Sequence, residues 1–202
     1  MKHLIFLVSM AFIFSGSFAQ KNDIDDPIYG EDSRNTTKSK AESITKNNFL
    51  IENNKLIWQK VFETKLGFES LVDKIKTAGI LENIEISESK ITGDLRRLST
   101  DYRGAGFTGA NTPIIVASGD LTGYIVLDYK DNKYRTTARN ITLIQRFDNT
   151  QFFKQGQPTK VDLFAIKDGS FKKAFLKTSA VIIDYSFTNA LLFDMEKIND
   201  NW

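Results

Sequence analysis

The 202-residue sequence contains no cysteine, and its single histidine is His3, close to the start. The absence of cysteine excludes disulfides, thiol nucleophiles and zinc sites built on thiolates. If residues 1–19 are removed as a signal, no imidazole remains either, which also excludes Ser-His-Asp hydrolysis and imidazole-ligated zinc. An exported chain without disulfides has to be stabilised by packing alone.

Charge of one sign is also not in excess. The chain has 27 Lys and Arg against 25 Asp and Glu, and loss of Lys2 with the signal leaves 26 against 25. A net charge this close to zero does not indicate a nucleic-acid partner. Apolar residues make up 41% of the chain and aromatic residues 12%, which is enough to form a packed core and excludes wholesale disorder.

Residues 1–19 are typical of an export signal. They have a basic start, an apolar run of eleven residues at positions 4–14 interrupted by one serine, and an end of small residues. The alternative is a transmembrane anchor, but about twenty apolar residues are needed to cross a bilayer. We therefore predict cleavage between Ala19 and Gln20 and a soluble product in the periplasm or outside the cell, without a membrane anchor.

The remaining chain divides into two parts by composition. Residues 20–48 are polar and charged, which is typical of a flexible leader. Residues 49–202 are expected to form a single α+β domain.

The first half of this domain has clear periodic patterns. Residues 55–63 are rich in β-branched and aromatic side chains and predict a half-buried strand with Trp58 and Phe62 on one face. Apolar residues at i, i+3, i+4 and i+7 predict a helix over 68–75. Residues 81–98 alternate on either side of a polar turn and predict a hairpin.

A second hairpin is predicted around Asp131 and Asn132, which tolerate positive φ and suit a two-residue turn between strands 121–129 and 133–144. The short turn fixes the register. On one face the predicted cross-strand pairs are Asp128 with Arg135 and Tyr124 with Arg139. The opposite face supplies core side chains, namely Ile125, Leu127, Tyr129, Tyr134 and Ala138.

Three segments are assigned more coarsely. Residues 99–119 are expected to form a loop, with a possible short strand at 114–116, and residues 146–170 another loop with one short segment. Helical spacing from residue 171 onward predicts a C-terminal helix, although residues 181–183 could extend a strand instead.

The chain resembles a known family over about residues 50–144. The resemblance rests on the following segments: 58–62, 68–75, 91–93, 124–135 and 140–141. The family is an uncharacterised exported bacterial family, a domain of unknown function with a fold like that of the TATA-box-binding protein. This resemblance implies a curved antiparallel sheet with helices packed on one face. It supplies no catalytic residues, and the name of the fold does not imply DNA binding.

Motifs for a cofactor or metal are incomplete. Residues 104–109 match G-x-G-x-x-G, but no strand and helix flank them as a dinucleotide site requires, so a Gly-rich loop is expected. Asp23, Asp25 and Asp26 lack the glycine and glutamate of a helix-loop-helix calcium site and are expected to be solvated. No cofactor, metal ligand or catalytic residue is therefore predicted.

Arginine and tyrosine side chains form the best candidate binding surface, since both suit anionic ligands, sugars and protein partners. The predicted binding residues are Arg96, Tyr124, Tyr134, Arg135 and Arg139. The alternative is an ordinary solvated sheet face, on which Asp128 neutralises Arg135 and Tyr124 covers Arg139.

Two functions follow from these observations. The first is a non-catalytic module that binds a protein or an extracellular ligand in the envelope through its sheet face or its Gly-rich loop. The second is a periplasmic hydrolase that uses carboxylates. A hydrolase should have a concave pocket with paired acids, whereas a binding module should have a shallow surface of Arg and Tyr.

Overall fold

The computed structural model describes residues 48–148 and 154–194. The predicted signal, its cleavage site at Ala19 and Gln20, and the leader up to residue 47 lie outside this part of the chain. The described residues form an antiparallel sheet with a few helices, which confirms the predicted α+β class.

The main sheet contains seven strands within the described ranges. They are β1 (Phe49–Glu52), β2 (Lys55–Glu63), β3 (Leu81–Ser87), β4 (Lys90–Ser99), β5 (Gly119–Lys130), β6 (Lys133–Gln145) and β7 (Pro158–Lys160). Their order is β1-β2-β6-β5-β4-β3, with β7 beside the far half of β6, and every pairing is antiparallel. A separate ribbon is formed by β8 (Ile166–Lys167) and β9 (Ser170–Phe171).

The predicted central hairpin is confirmed together with its register. Asp131 and Asn132 have φ values of 52° and 56°, as a tight turn with the twist of the flanking strands requires. Lys130 lies opposite Lys133, and the further pairs Asp128–Arg135 and Tyr124–Arg139 follow. A bulge separates the Tyr124 pairing from the pairing of Thr122 with Thr142.

Helices cover one face of the sheet. The helices are α1 (Phe68–Ala78), α2 (Ile114–Ala117), α3 (Asp162–Ala165) and α4 (Ala180–Ala190), the last preceded by a π-helical turn, Phe175–Ser179. The predicted stripe of α1 is confirmed, because Leu71, Val72 and Ile75 are buried, and Gly79 ends the helix with φ 63°. In α4, Phe187 packs on Trp58 of β2, with 5.1 Å between the ring centroids.

The structure decides between two alternatives, confirms the predicted C-terminal helix and adds one strand. Residues 114–116 form a helical turn and not a strand, because Pro113 begins it with φ −55° and Arg146 Nη2 donates to the carbonyl of Ala117 at its end, 2.6 Å away. Residues 181–183 belong to α4 and not to a strand. Strand β1, paired with β2 through a two-residue Asn turn, was not predicted.

No helix among the described residues is both long enough and apolar enough to span a membrane.

Candidate functional site

The sheet face opposite the helices exposes the predicted arginines. Successive side chains of a strand point to opposite faces, so the neighbours of buried core residues lie on this side. We call it the open face. Its members on five strands are Leu50, Glu52, Ile57, Gln59, Val61, Arg96, Tyr124, Val126, Asp128, Arg135, Thr137 and Arg139.

Ion pairs compensate the arginines of the open face. Arg135 lies 2.9 Å from Asp128, as predicted, and the same carboxylate is 3.7 Å from Lys90 Nζ. Arg96 lies 3.6 Å from Glu82 of the neighbouring strand. These side chains are between 33% and 60% exposed, so each pair is worth about 0–1 kcal/mol and mainly fixes side-chain positions.

Arg139 has an ion-pair partner that was not predicted from the sequence. It is the cross-strand neighbour of Tyr124, as predicted, but its Nη1 donates to Glu52 Oε2 at 3.3 Å. Glu52 lies at the end of β1, two strands away from Arg139 on β6 in the sheet. The ion pair of Arg139 could therefore not be predicted without β1.

The prediction of Tyr134 as a binding residue is wrong. Its side chain is completely buried on the helix-covered face and stacks on Phe62, with 5.0 Å between the ring centroids. Its hydroxyl donates to the carbonyl of Leu191 at 2.9 Å and accepts from the amide of Phe193 at 3.0 Å. The pKa of Tyr134 is raised to about 12: burial is the largest cause and raises it, the hydrogen bond from Phe193 lowers it, and the charge of Asp194 raises it.

The open face contains a cleft of about 390 Å³ between β1, β2 and β6. We call it the Glu52–Arg139 cleft, and it is lined by Leu50, Ile51, Glu52, Asn53, Ile57, Gln59 and Arg139. Ile57 forms an apolar floor that is only 3% exposed. Gln59 is held at one wall by a hydrogen bond from its Nε2 to Thr137 Oγ1, 3.0 Å long. Polar and ionic groups therefore surround an apolar floor.

A second cleft, of about 370 Å³, contains three carboxylates. Glu63 lies 3.4 Å from Lys133 and Asp131 lies 3.8 Å from Lys130, and both acidic side chains are more than four-fifths exposed. Asp194 accepts a hydrogen bond from the amide of Lys65 at 2.6 Å. Each acid has its own partner, which does not suit a catalytic pair that shares a proton or a water.

A third cleft, of about 320 Å³, has a single carboxylate, that of Asp162. This acid lies 3.5 Å from Lys55 and accepts the backbone N–H of Leu56 at 2.9 Å. Across residues 48–148 and 154–194, no three acidic or histidine side chains come together as a set of metal ligands.

The glycines of residues 104–109 have local structural roles at two positions, Gly104 and Gly106. A Cβ added to Gly104 would lie 2.6 Å from the ring of Tyr185 on α4, so glycine is needed for this close approach. Gly106 has φ 85°, and the segment continues into a short 3₁₀ turn without opening a long helix. The loop prediction is confirmed, and the geometry of a dinucleotide site is not present in this segment.

Comparison with known proteins gives two solved structures. No family model and no curated protein matches the sequence. A TBP-like protein from Parabacteroides distasonis is 11% identical, with a TM-score of 0.43 over 72% of this chain and 96% of its own. A DUF4468 family protein from Bacteroides ovatus is 10% identical, with a TM-score of 0.37 over 71% of this chain and 82% of its own. These two proteins are described only by fold or family, without a function.

Proposed function

We propose that this chain is an exported, soluble and non-catalytic module that binds a protein partner through the Glu52–Arg139 cleft. The observation that carries the proposal is the composition of that cleft, in which a half-exposed guanidinium stands over a buried apolar floor. Arginine is enriched among the few residues that contribute most of the binding energy in protein interfaces, and these residues cluster in well-packed, desolvated pockets.

The Glu52–Arg139 ion pair can be replaced by an ion pair between Arg139 and a partner protein at little cost. Arg139 and Glu52 are 51% and 52% exposed, so their attraction contributes about 0–1 kcal/mol. A partner carboxylate that reaches Arg139 in a water-excluded interface would form a stronger, charge-assisted bond. An apolar side chain placed on Ile57 adds about 1.5–3 kcal/mol if it is fully buried. The expected partner segment therefore carries an aspartate or glutamate beside a large apolar residue.

The alternative function, a carboxylate-dependent periplasmic hydrolase, has less support. The Glu52–Arg139 cleft has one acid, and this acid is already paired. The three acids of the second cleft are engaged separately and two of them are largely exposed. Neither cleft offers the acid and base in unlike surroundings that this chemistry requires.

A pull-down with two matched arginine variants tests the proposal. The tagged protein is used to recover partners from envelope and medium fractions of the source bacterium. Arg139→Ala removes the guanidinium of the cleft, whereas Arg103→Ala removes an exposed guanidinium next to the Gly-rich loop, 5.8 Å from the ring of Tyr102. Both variants should melt cooperatively at nearly the wild-type temperature, because neither residue is buried.

We expect wild type and Arg103→Ala to recover the same partner, and Arg139→Ala to bind it about 30-fold more weakly, as for an interface hot spot. Equal recovery by Arg139→Ala would contradict the assignment of the cleft. Loss with Arg103→Ala alone would place the binding site on the Gly-rich loop.

A further inference from the structure

Residues 154–177 form a basic segment that lies later in the chain than the residues of the Glu52–Arg139 cleft. This segment contains β7, α3, the β8–β9 ribbon and the start of the π-helical turn. We call it the basic excursion. It has two aspartates and no arginine, for a net charge of +4, and its six lysines are Lys154, Lys160, Lys167, Lys172, Lys173 and Lys177.

In the described part of the chain, the lysines of the basic excursion have no carboxylate within ion-pair distance. The carboxylate of Asp162, one of the two acids in the segment, pairs with Lys55 of β2. All but Lys172 are exposed. The open face differs in this respect, since Arg96, Arg135 and Arg139 each have an acidic partner. The chain as a whole has nearly equal numbers of basic and acidic residues, whereas this segment has an excess of positive charge.

An exposed apolar side chain belongs to the same segment. Leu163 on α3 is 69% exposed, the highest value of any large apolar residue in the described ranges. Lys172 donates from Nζ to the carbonyl of Leu163 at 2.9 Å, which holds an ammonium group directly beside it. Ala165 of the same helical turn is buried, so Leu163 is on the outer side.

The basic excursion is held in shape by its own packing. Phe171 stacks on Phe175 with 6.2 Å between ring centroids, and Phe164 meets the same ring at 6.1 Å. The amide of Lys172 donates to the carbonyl of Ala165, 2.8 Å away. The lysines and Leu163 therefore lie on a folded segment whose interior is formed by aromatic side chains.

We propose that the basic excursion docks the protein on an anionic lipid surface, with Leu163 inserted between headgroups. Lysine without arginine favours this occupant over a folded acidic protein, because protein interfaces are depleted in lysine and enriched in arginine and aromatic residues. A diffuse layer of anionic headgroups needs no fixed hydrogen-bond geometry, and an aliphatic residue flanked by lysines is typical of interfacial binding. Such docking is peripheral and does not require a membrane-spanning segment.

Vesicle sedimentation tests this proposal with the exported full chain. The probes are vesicles of 30% phosphatidylglycerol in phosphatidylcholine and vesicles of phosphatidylcholine alone, at low salt. Wild type should bind the first and not the second. A Lys160→Gln, Lys167→Gln, Lys173→Gln triple variant should bind about a hundredfold more weakly, since each lysine near an anionic surface contributes roughly fivefold.

Two control variants separate docking from general electrostatics. A triple variant at Lys74, Lys76 and Lys130, each changed to Gln, removes the same charge from exposed sites elsewhere and should keep wild-type binding. Leu163→Ser should weaken binding about tenfold by losing one buried aliphatic side chain. Val61→Ser, which changes an apolar residue that is 56% exposed on the open face, should not.

Three results would overturn the proposal. The first is a failure of wild type to sediment with the anionic vesicles. The second is an equal loss of vesicle binding in both triple variants, which would show that binding depends only on the net charge of the protein. The third is full competition by soluble polyglutamate together with unchanged binding by Leu163→Ser, which would assign the surface to an acidic macromolecule.

Discussion

Replacement of Tyr134 by Phe should change how the stability of the fold depends on pH. The Tyr134 hydroxyl connects the sheet to the chain that follows α4, through the carbonyl of Leu191 and the amide of Phe193. Near neutral pH, Tyr134→Phe removes both hydrogen bonds and leaves two buried backbone groups without a partner. At about 1 kcal/mol for each bond, we expect a loss of about 2 kcal/mol.

The pKa of Tyr134 then determines what happens at alkaline pH. Burial raises it from 10.0 to about 12, so the unfolded chain loses its proton first. The contribution of the neutral phenol to stability is complete below the unfolded pKa and is lost between about pH 10 and pH 12. At about pH 11 wild type should have lost about 1.4 kcal/mol from this group, and the full window corresponds to about 2.7 kcal/mol.

The assay is urea unfolding of wild type and Tyr134→Phe at several pH values between about 7 and 11. Lysines titrate in the same window, but they are common to both proteins, so the difference between the two free energies isolates Tyr134. This difference should shrink from about 2 kcal/mol to below about 1 kcal/mol. Tyr124→Phe, at a partly exposed site on the open face, is the matched control and should follow wild type. A constant difference up to about pH 11 would refute the reasoning.

Three further predictions concern other parts of the chain. Asp184→Ala removes the carboxylate oxygen that accepts from Trp58 Nε1 at 2.7 Å and from Asn48 Nδ2 at 2.8 Å, and should cost about 3 kcal/mol in urea unfolding. A loss below about 1 kcal/mol would contradict this role. Asn132→Ala should cost about 1 kcal/mol because φ is 56°, whereas Asn132→Gly should be nearly neutral; equal effects would argue against the turn. N-terminal sequencing of the exported protein should begin at Gln20, and an unprocessed N-terminus would contradict the predicted signal.

Local patterns were sufficient to predict much of the sheet. Strand β2 and the two strands around Asp131 and Asn132 carry period-2 patterns bounded by turn residues, so their bounds and register could be predicted. Helix α1 has an apolar stripe and a glycine stop, both of which act within one or two turns of the chain. In these elements the local preference and the tertiary packing agree.

Short elements could not be predicted because tertiary contacts decide them. Residues 114–116 are β-branched and favour a strand locally, yet Arg146, some thirty residues later, donates to the carbonyl that ends the α2 turn. Strand β1 has only four residues and is defined by its pairing with β2. Since Glu52 lies on β1, the Glu52–Arg139 cleft could not be predicted from the sequence either.

Tyr134 shows why register alone is not enough to assign a binding role. The predicted register placed it correctly with Ile125 and Ala138 on the core face, while its residue type suggested a binding surface. The structure satisfies its hydroxyl inside the core through Leu191 and Phe193, which lie nearly sixty residues later. A buried tyrosine needs only such a partner to be part of the core.

Photocrosslinking from the Glu52–Arg139 cleft tests the central claim most directly. A photoreactive residue replaces Glu52 in the cleft or, as the matched control, Glu69 on the exposed side of α1. The account predicts a discrete crosslinked protein in native envelope or medium fractions with the Glu52 probe, no such product with the Glu69 probe, and loss of the product when Arg139→Ala is added. The same product from both positions, or its persistence with Arg139→Ala, would contradict the assignment of this cleft as the binding site.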